Sequence, residues 1–297
     1  MANLKEIRNR IKTVKSTQQV TKAMKMVAAA KLRRAQDRIV QLRPYALKLR
    51  EIIGNVVSVL DVSEIPSPLV EQREVKNILV VLVTSNRGLA GPFNTNIIKH
   101  TTQFLDEHHQ ADLAAGKVQF ICMGRKGHEY MKKRGYNVNG GNFDVFSQLS
   151  FEKVNAVNDL IFEKFTSGEV DKVYLMFNEF KNVMSQIRRA DTLLPLAVKE
   201  LDQADEESNL NSDYIFEPGR EEILTDLIPR ALRIAVFRAV LESNAAEQGA
   251  RMVAMDAATE NAEDLLRSLR ISYNKARQAA ITKEILEIAA GADALEN

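Results

Sequence analysis

The sequence predicts an α/β protein in which long N- and C-terminal helices form an antiparallel coiled coil and enclose an inserted α/β domain. Three observations carry this. Apolar residues recur every three or four positions across residues 4–60, and the same period returns from about residue 220 to 289. Between them, short β-branched runs alternate with helical stretches, the pattern of a partly parallel sheet. The expected divisions are an N-terminal coiled-coil helix at 1–60, a globular foot at 61–219 and a C-terminal helix with a projecting tip at 220–297.

The first helix has no glycine before Gly54 and one proline, Pro44. Its seam runs Leu4, Ile7, Ile11, Val14, Ala28, Leu32, Ala35, Ile39, Leu42, Ala46, Leu49, Ile53, Val56, Leu60. Fourteen of 17 seam positions are apolar, which selects a coiled coil over a solvated helix. At 1.5 Å per residue it reaches roughly 85 Å. Pro44 removes one backbone donor and predicts a bend, not a stop. The three exceptions are Gln18, Thr21 and Lys25. Around them the apolar row is expected to move to Val20, Met24 and Val27, a stutter in the heptad.

Residues 61–77, with Pro66 and Pro68, read as a linker. Strands are expected at 78–84, 117–123, 170–180 and 185–196, and helices near 94–108, 126–134 and 151–167. The polar stretch 202–220 is expected to close the domain as a loop.

The second helix carries Leu224, Leu227, Ala231, Ile234, Leu241, Ala245, Met252, Met255, Ala262, Leu266, Leu269, Tyr273, Ala276 and Ala280 at the same spacing. It would run about 105 Å. Pro229 is a candidate for its true start and Gly291 for its stop. Both helices join one small domain, so they leave it side by side and antiparallel. Counting from the junctions places Leu4 near residue 276, within about ten residues. Beyond this lies a lone tip of roughly 30 Å, which carries Ile281, Ile285, Leu286 and Ile288. Exposed isoleucines on a lone helix call for a partner to surround them.

Composition narrows the function. Apolar residues make up 45% of the chain, enough for a core, while aromatics are only 6% and Trp is absent, which suits helix-on-helix packing. The single Cys122 cannot form an internal disulfide and lies in the apolar run VQFICM, so it reads as a buried hydrophobe in a reducing compartment. No stretch is long and apolar enough to span a membrane. The opening MANLKEIRNR resembles neither a signal nor a transit segment, so a cytoplasmic location is expected. Net charge is +2, but residues 1–50 carry 14 Lys and Arg against Glu6 and Asp37. A basic arm of this kind seeks an acidic partner.

Catalytic signals are missing. There is no P-loop and no dinucleotide fingerprint. The glycine-containing turns TSNRGLAGPFN (84–94) and GRKG (124–127) follow strands, where ligands often bind, but read better as tight strand-to-helix turns. His108 and His109, beside Glu107, point apart on a helix and read as a solvated helix end. No metal site, no cofactor and no active site is expected. Two rival readings remain. One is a basic coiled-coil nucleic-acid-binding protein, weakened because Tyr45 is the only aromatic in the basic arm. The other is an α/β enzyme with a helical arm, weakened by the missing phosphate motifs.

The segments TKAMKMVAAAKLRRAQDR (21–38) with RPYA (43–46), AAEQGARMVAMDAATENA (245–262) and YNKARQAAITKEILEIAAGADAL (273–295) resemble the two shaft helices of rotary ATP synthase gamma subunits. TSNRGLAGPFNTN resembles that family's strand-to-helix turn. The resemblance implies a Rossmann-like insert and a non-catalytic rotor. Its coiled coil would thread a ring of three alpha and three beta subunits, and its foot would rest on the c-ring and bind the epsilon subunit. It would then be a peripheral component on the cytoplasmic face of a bacterial inner membrane, with no nucleic-acid partner. By motif, Met24 and Lys25 match positions facing an acidic lever loop of the beta subunits, with Lys22, Arg33 and Arg34 supplying nearby charge. Arg277, Gln278, Thr282 and Glu284 match positions that contact the catalytic ring. The sequence departs from the family's usual Asp, Cys and Gly at Asn86, Ala90 and Pro92, all in the foot.

Overall fold

The computed structural model describes residues 4–57, 67–141, 143–146, 149–196 and 219–296. In chain order the elements are α1 (Leu4–Val57), β1 (Ile78–Val83), α2 (Phe93–His108), α3 (Gln110–Ala114), β2 (Val118–Met123), α4 (Arg125–Lys133) and β3 (Asn137–Gly141). A short 3-10 turn (Phe143–Phe146), α5 (Phe151–Thr166), β4 (Lys172–Phe180), β5 (Gln186–Leu194) and α6 (Arg220–Glu296) follow. By contact density the chain divides into two units, residues 30–250 and residues 1–29 with 251–297.

The larger unit is built on one sheet of order β3-β2-β1-β4-β5. β1 lies at its centre, parallel to β2 and to β4, with Ile78 opposite both Val118 and Lys172. β3 is parallel to β2, and β5 closes the sheet antiparallel to β4. All six residues of β1 are buried, as a central parallel strand covered on both faces requires. Leu79, Val81 and Val83 face a core made with Ile53 of α1, Ile161 and Phe165 of α5, and Ile228 and Val236 of α6. Ile78, Val80 and Leu82 face the opposite core with Ile97 and Leu105 of α2 and Met131 of α4. Helices thus cover both faces, the doubly wound arrangement expected of a Rossmann-like insert.

Several expectations are corrected. β3 (NVNGG) was not foreseen as a strand, because Asn and Gly disfavour one. Its pairing with β2, through Gln119 opposite Asn137, supplies what propensity does not. The short α3 and the 3-10 turn were also unforeseen. α6 begins at Arg220, well before Pro229, because Leu224, Ile228 and Leu232 are all buried and hold the helix on both sides of the proline. It also continues past Gly291, since Ala289, Ala290, Ala292 and Ala294 are strong helix formers and one glycine costs only about 1 kcal/mol. α1 runs through Pro44 without a stop, as expected. The loop expected over 202–220 lies almost wholly outside the described residues.

In the smaller unit the two helical segments run antiparallel. Ile7 and Ala28 of α1 are buried, as are Met255, Ala262, Leu266 and Leu269 of α6. Arg8 Nη2 donates to the Tyr273 hydroxyl at 2.9 Å. Extended four residues along each helix, this contact puts Leu4 beside residue 277, one residue from the sequence count.

Candidate functional site

The heptad exceptions are where the seam of the smaller unit differs from the sequence reading. Thr21 is buried, and its hydroxyl shares a 2.8 Å hydrogen bond with the Thr259 hydroxyl across the helix pair. Lys25 is ion-paired with Asp256, both half-buried. Val20 and Val27 are instead 54% and 56% exposed. The apolar row does not move, so there is no stutter. The seam keeps its register, and at Thr21 and Lys25 it is filled by polar residues whose partners stand opposite on α6. Had the antiparallel count been extended inward, Lys25 and Thr21 would have fallen opposite residues 255 and 259, so these partners were within reach of the sequence.

The exposed face of α1 then carries a mixed pattern. In the smaller unit Lys22, Val20, Met26 and Val27 of α1 are exposed and Met24 is half-buried; in the larger unit Arg33 and Arg34 of α1 are exposed. Cations interleaved with exposed apolar side chains suit an acidic, partly apolar partner. Lys25 is the exception among the predicted cations, since its ammonium group is already neutralised by Asp256.

At the other end of α6, Arg277, Gln278, Thr282 and Glu284 are all exposed. The Thr282 hydroxyl donates to the Gln278 carbonyl at 3.0 Å, and Lys283 and Glu287 lie 3.4 Å apart one turn on. Ile281, Ile285, Leu286 and Ile288 are 47–73% exposed, so this tip presents apolar surface, as the sequence implied. The Arg8 guanidinium is held more strongly cationic by its hydrogen bond to Tyr273.

The glycine-containing turns of the larger unit are packing devices. Asn94 Oδ1 accepts from the Ser85 amide at 2.9 Å, and the Ser85 hydroxyl donates to the Arg87 carbonyl at 2.7 Å, so the 84–94 turn is knitted to itself. The Asn86 side chain accepts from the Arg125 amide at 3.0 Å, tying the two turns together. Gly124 has φ +123°, and a Cβ there would sit 2.1 Å from the Thr84 carbonyl oxygen. That close approach, not a ligand, explains this glycine. His109 is also not solvated as expected: its Nε2 lies 2.8 Å from the Tyr174 hydroxyl and its Nδ1 3.4 Å from Asp112. It terminates α2 and turns back onto the sheet, whereas His108 remains exposed. Cys122 is buried, and burial pushes its thiol up to about 12. Among the described residues no helix is long and apolar enough to cross a membrane.

A family model described as ATP synthase matches residues 3–295. The ATP synthase gamma chain of Chloroherpeton thalassium is 52% identical over 302 residues, covering 100% of this chain and 99% of the relative. That of Cytophaga hutchinsonii is 49% identical over 297 residues, covering 100% of both chains. Among solved structures, a chain of the Euglena gracilis mitochondrial ATP synthase assembly of F1, OSCP and c-ring has a TM-score of 0.64 at 23% identity, covering 98% of this chain and 94% of that one. A chain of the Tetrahymena thermophila central stalk and c-ring has a TM-score of 0.58 at 24% identity, covering 80% of this chain and 99% of that one. The structural likenesses establish a shared fold. Joined to end-to-end identity of about one residue in two with bacterial relatives, they leave one assignment: the chain belongs to the ATP synthase gamma-chain family.

Proposed function

We propose that the chain is the central rotor shaft of a proton-translocating ATP synthase. It couples rotation of the membrane c-ring to conformational change, and so to ATP synthesis or hydrolysis, in alpha and beta subunits. The observation that carries this is the full-length identity with gamma chains. The physical support is an antiparallel helical pair that exposes Lys22 with Val20, Met26 and Val27 on α1 and Ile281, Ile285, Leu286 and Ile288 at the tip of α6.

In this reading the chain carries no catalytic group and binds no cofactor. Three alpha and three beta subunits surround the helices, and the epsilon subunit and c-ring meet the foot. The working division is shaft helices at 1–60 and 220–297 around a foot at 61–219. The chain reaches the cytoplasmic face of a bacterial inner membrane only through the complex. Lys22, Met24, Arg33 and Arg34 engage acidic loops of the beta subunits, with Lys25 acting mainly through Asp256. Arg277, Gln278, Thr282 and Glu284 contact the catalytic ring near the apolar tip. Each beta subunit meets a different face of the shaft, so shaft angle sets its nucleotide affinity, a coupling between distant sites.

The test is co-purification with alpha and beta subunits and ATPase assay with and without the chain. A single copy in a six-chain ring, with turnover restored, is the expected result. A chain that neither joins the ring nor changes turnover overturns the reading. A nucleic-acid role draws no support from relatives that are gamma chains along their whole length.

A further inference from the structure

The β4–β5 hairpin meets α6 at Gly249. A Cβ on this residue would lie 3.3 Å from Phe180 Cε2 and 3.5 Å from the Val183 Cα and carbonyl oxygen, so the absent side chain is the space the hairpin occupies. The hairpin tip is a closed unit: Asn182 Oδ1 accepts from the Met184 amide at 3.0 Å and the Ser185 amide at 2.7 Å. Two helical turns before Gly249, Glu242 Oε2 accepts from the Phe180 amide at 3.1 Å. Between these points α6 contributes Ala245 and Ala246 to the packing around the hairpin. Ala246 and Ala250 share a buried cluster with Ala90, Phe93 and Phe180. Ala245 shares another with Leu32 and Ala35 of α1, against which Phe180 and Val183 pack. One hairpin therefore packs against residues of both terminal helices.

We propose that this hairpin is a clamp that fixes the two terminal helices to the sheet, with Gly249 and Glu242 as its positioning residues. Half-exposed polar pairs such as Lys25 with Asp256 interrupt the apolar seam and are individually weak, so slip of one helix past the other would let torque dissipate. The clamp ties α1 and α6 to β4, a strand beside the sheet's centre, so rotation of the foot is delivered to both helices together. Gly249 admits the hairpin, and Glu242 anchors Phe180 at the end of β4. Glu242 also faces Glu179 of β4, Arg238 of α6 and Arg43 of α1. This inference rests on the rotor reading above.

The test uses the assembled ATP synthase in proteoliposomes, carrying wild type, Gly249→Val, Glu242→Ala, Glu242→Gln or Met184→Ala. ATP hydrolysis and ATP-driven proton pumping are measured, and amide exchange across 180–185 is followed in the same complexes. Gly249→Val wedges the hairpin outward, and Glu242→Ala removes its anchor without adding bulk. Both are expected to raise exchange at 180–185 by about tenfold or more. Both should cut protons pumped per ATP to about half or less, with hydrolysis kept within about twofold. Glu242→Gln, which retains an acceptor, and Met184→Ala, at an 83% exposed position on the hairpin tip, should behave as wild type. Should Gly249→Val fail to assemble, Glu242→Ala decides alone. Unchanged exchange, or raised exchange with undiminished pumping, overturns the clamp. A wild-type chain that supports no pumping overturns the rotor reading instead.

Discussion

The Thr21 and Thr259 hydroxyls meet at 2.8 Å across the helix pair, at a seam position where a heptad calls for an apolar side chain. Each also has a carbonyl of its own helix in reach, Gln18 for Thr21 at 3.0 Å and Met255 for Thr259 at 2.7 Å. Two hydroxyl protons serve these three contacts, so one threonine donates across the pair while the other donates to its own helix, and the cross-pair bond exists only in this register. A buried polar position that fixes register at some expense of stability is a known device of coiled coils.

Thr21→Val is therefore expected to cost about 1 kcal/mol, because one partner is lost and the other remains. Thr21→Val with Thr259→Val should return close to wild type, since an apolar pair of similar shape replaces a hydrogen-bonded one. Urea unfolding of the two single variants and the double variant measures this as a coupling energy. Additive costs would show that the hydroxyls do not act as a pair.

Among the basic residues of α1, Lys22, Arg33 and Arg34 are directed outward, whereas Lys25 is held by Asp256. Reversing Lys22, Arg33 and Arg34 together to Glu should weaken engagement with acidic loops by about tenfold, each exposed pair being worth roughly 0.2–1 kcal/mol. The loss should be larger at low salt than at high salt. ATP-driven proton pumping at two ionic strengths reads it out. Lys25→Ala alone should act mainly on the stability of the helix pair, with a small effect that Asp256→Ala does not increase.

Burial pushes the Cys122 thiol up to about 12, far from the thiolate needed for reaction. The native chain should resist maleimide at neutral pH for hours, then label at one site once unfolded. Rapid labelling of the folded chain would contradict the packing of β2.

Burial also holds the Glu242 carboxyl above the usual carboxylate range, against the Phe180 amide and with Glu179 adding to the rise, while Arg238 and Arg43 oppose it. A raised acid binds its proton more tightly in the folded state. Stability from this group is therefore greatest at acid pH and falls as pH climbs through the raised value. Glu242→Gln should flatten that fall and leave stability at neutral pH equal or higher. Thermal unfolding from pH 4 to 8 tests the sign, and a steeper fall in the variant would refute it.

Much of this was legible in the sequence. The period of the two terminal helices marked them as a pair, and counting from their junctions placed Leu4 near residue 276 to within about ten residues; the exact register rests on contacts such as Arg8 to Tyr273, which no count along one chain supplies. β1, β2 and β4 were legible because Val, Ile, Leu, Met and Phe crowd them, whereas β5 (QIRRADTLL) shows only a partial apolar signal. What escaped depends on partners distant in sequence. β3 exists because β2 offers it an edge. α6 survives Pro229 because its neighbours are buried on both sides. The apparent stutter at Gln18, Thr21 and Lys25 was read from α1 alone, but it is resolved by Thr259 and Asp256 on the opposite helix. The clamp was least visible, since Gly249 inside a helical pattern carries no mark of the hairpin that fills its space.

The most direct test of the rotor assignment is rotation itself. Cys122 is buried, so a Lys133→Cys variant, exposed on α4, offers one accessible site for a probe on the foot. With three alpha and three beta subunits immobilised and ATP supplied, the probe should turn continuously in one direction, pausing at three angles per revolution. A ring that hydrolyses ATP with the chain bound while the probe stays still would contradict the assignment at its centre.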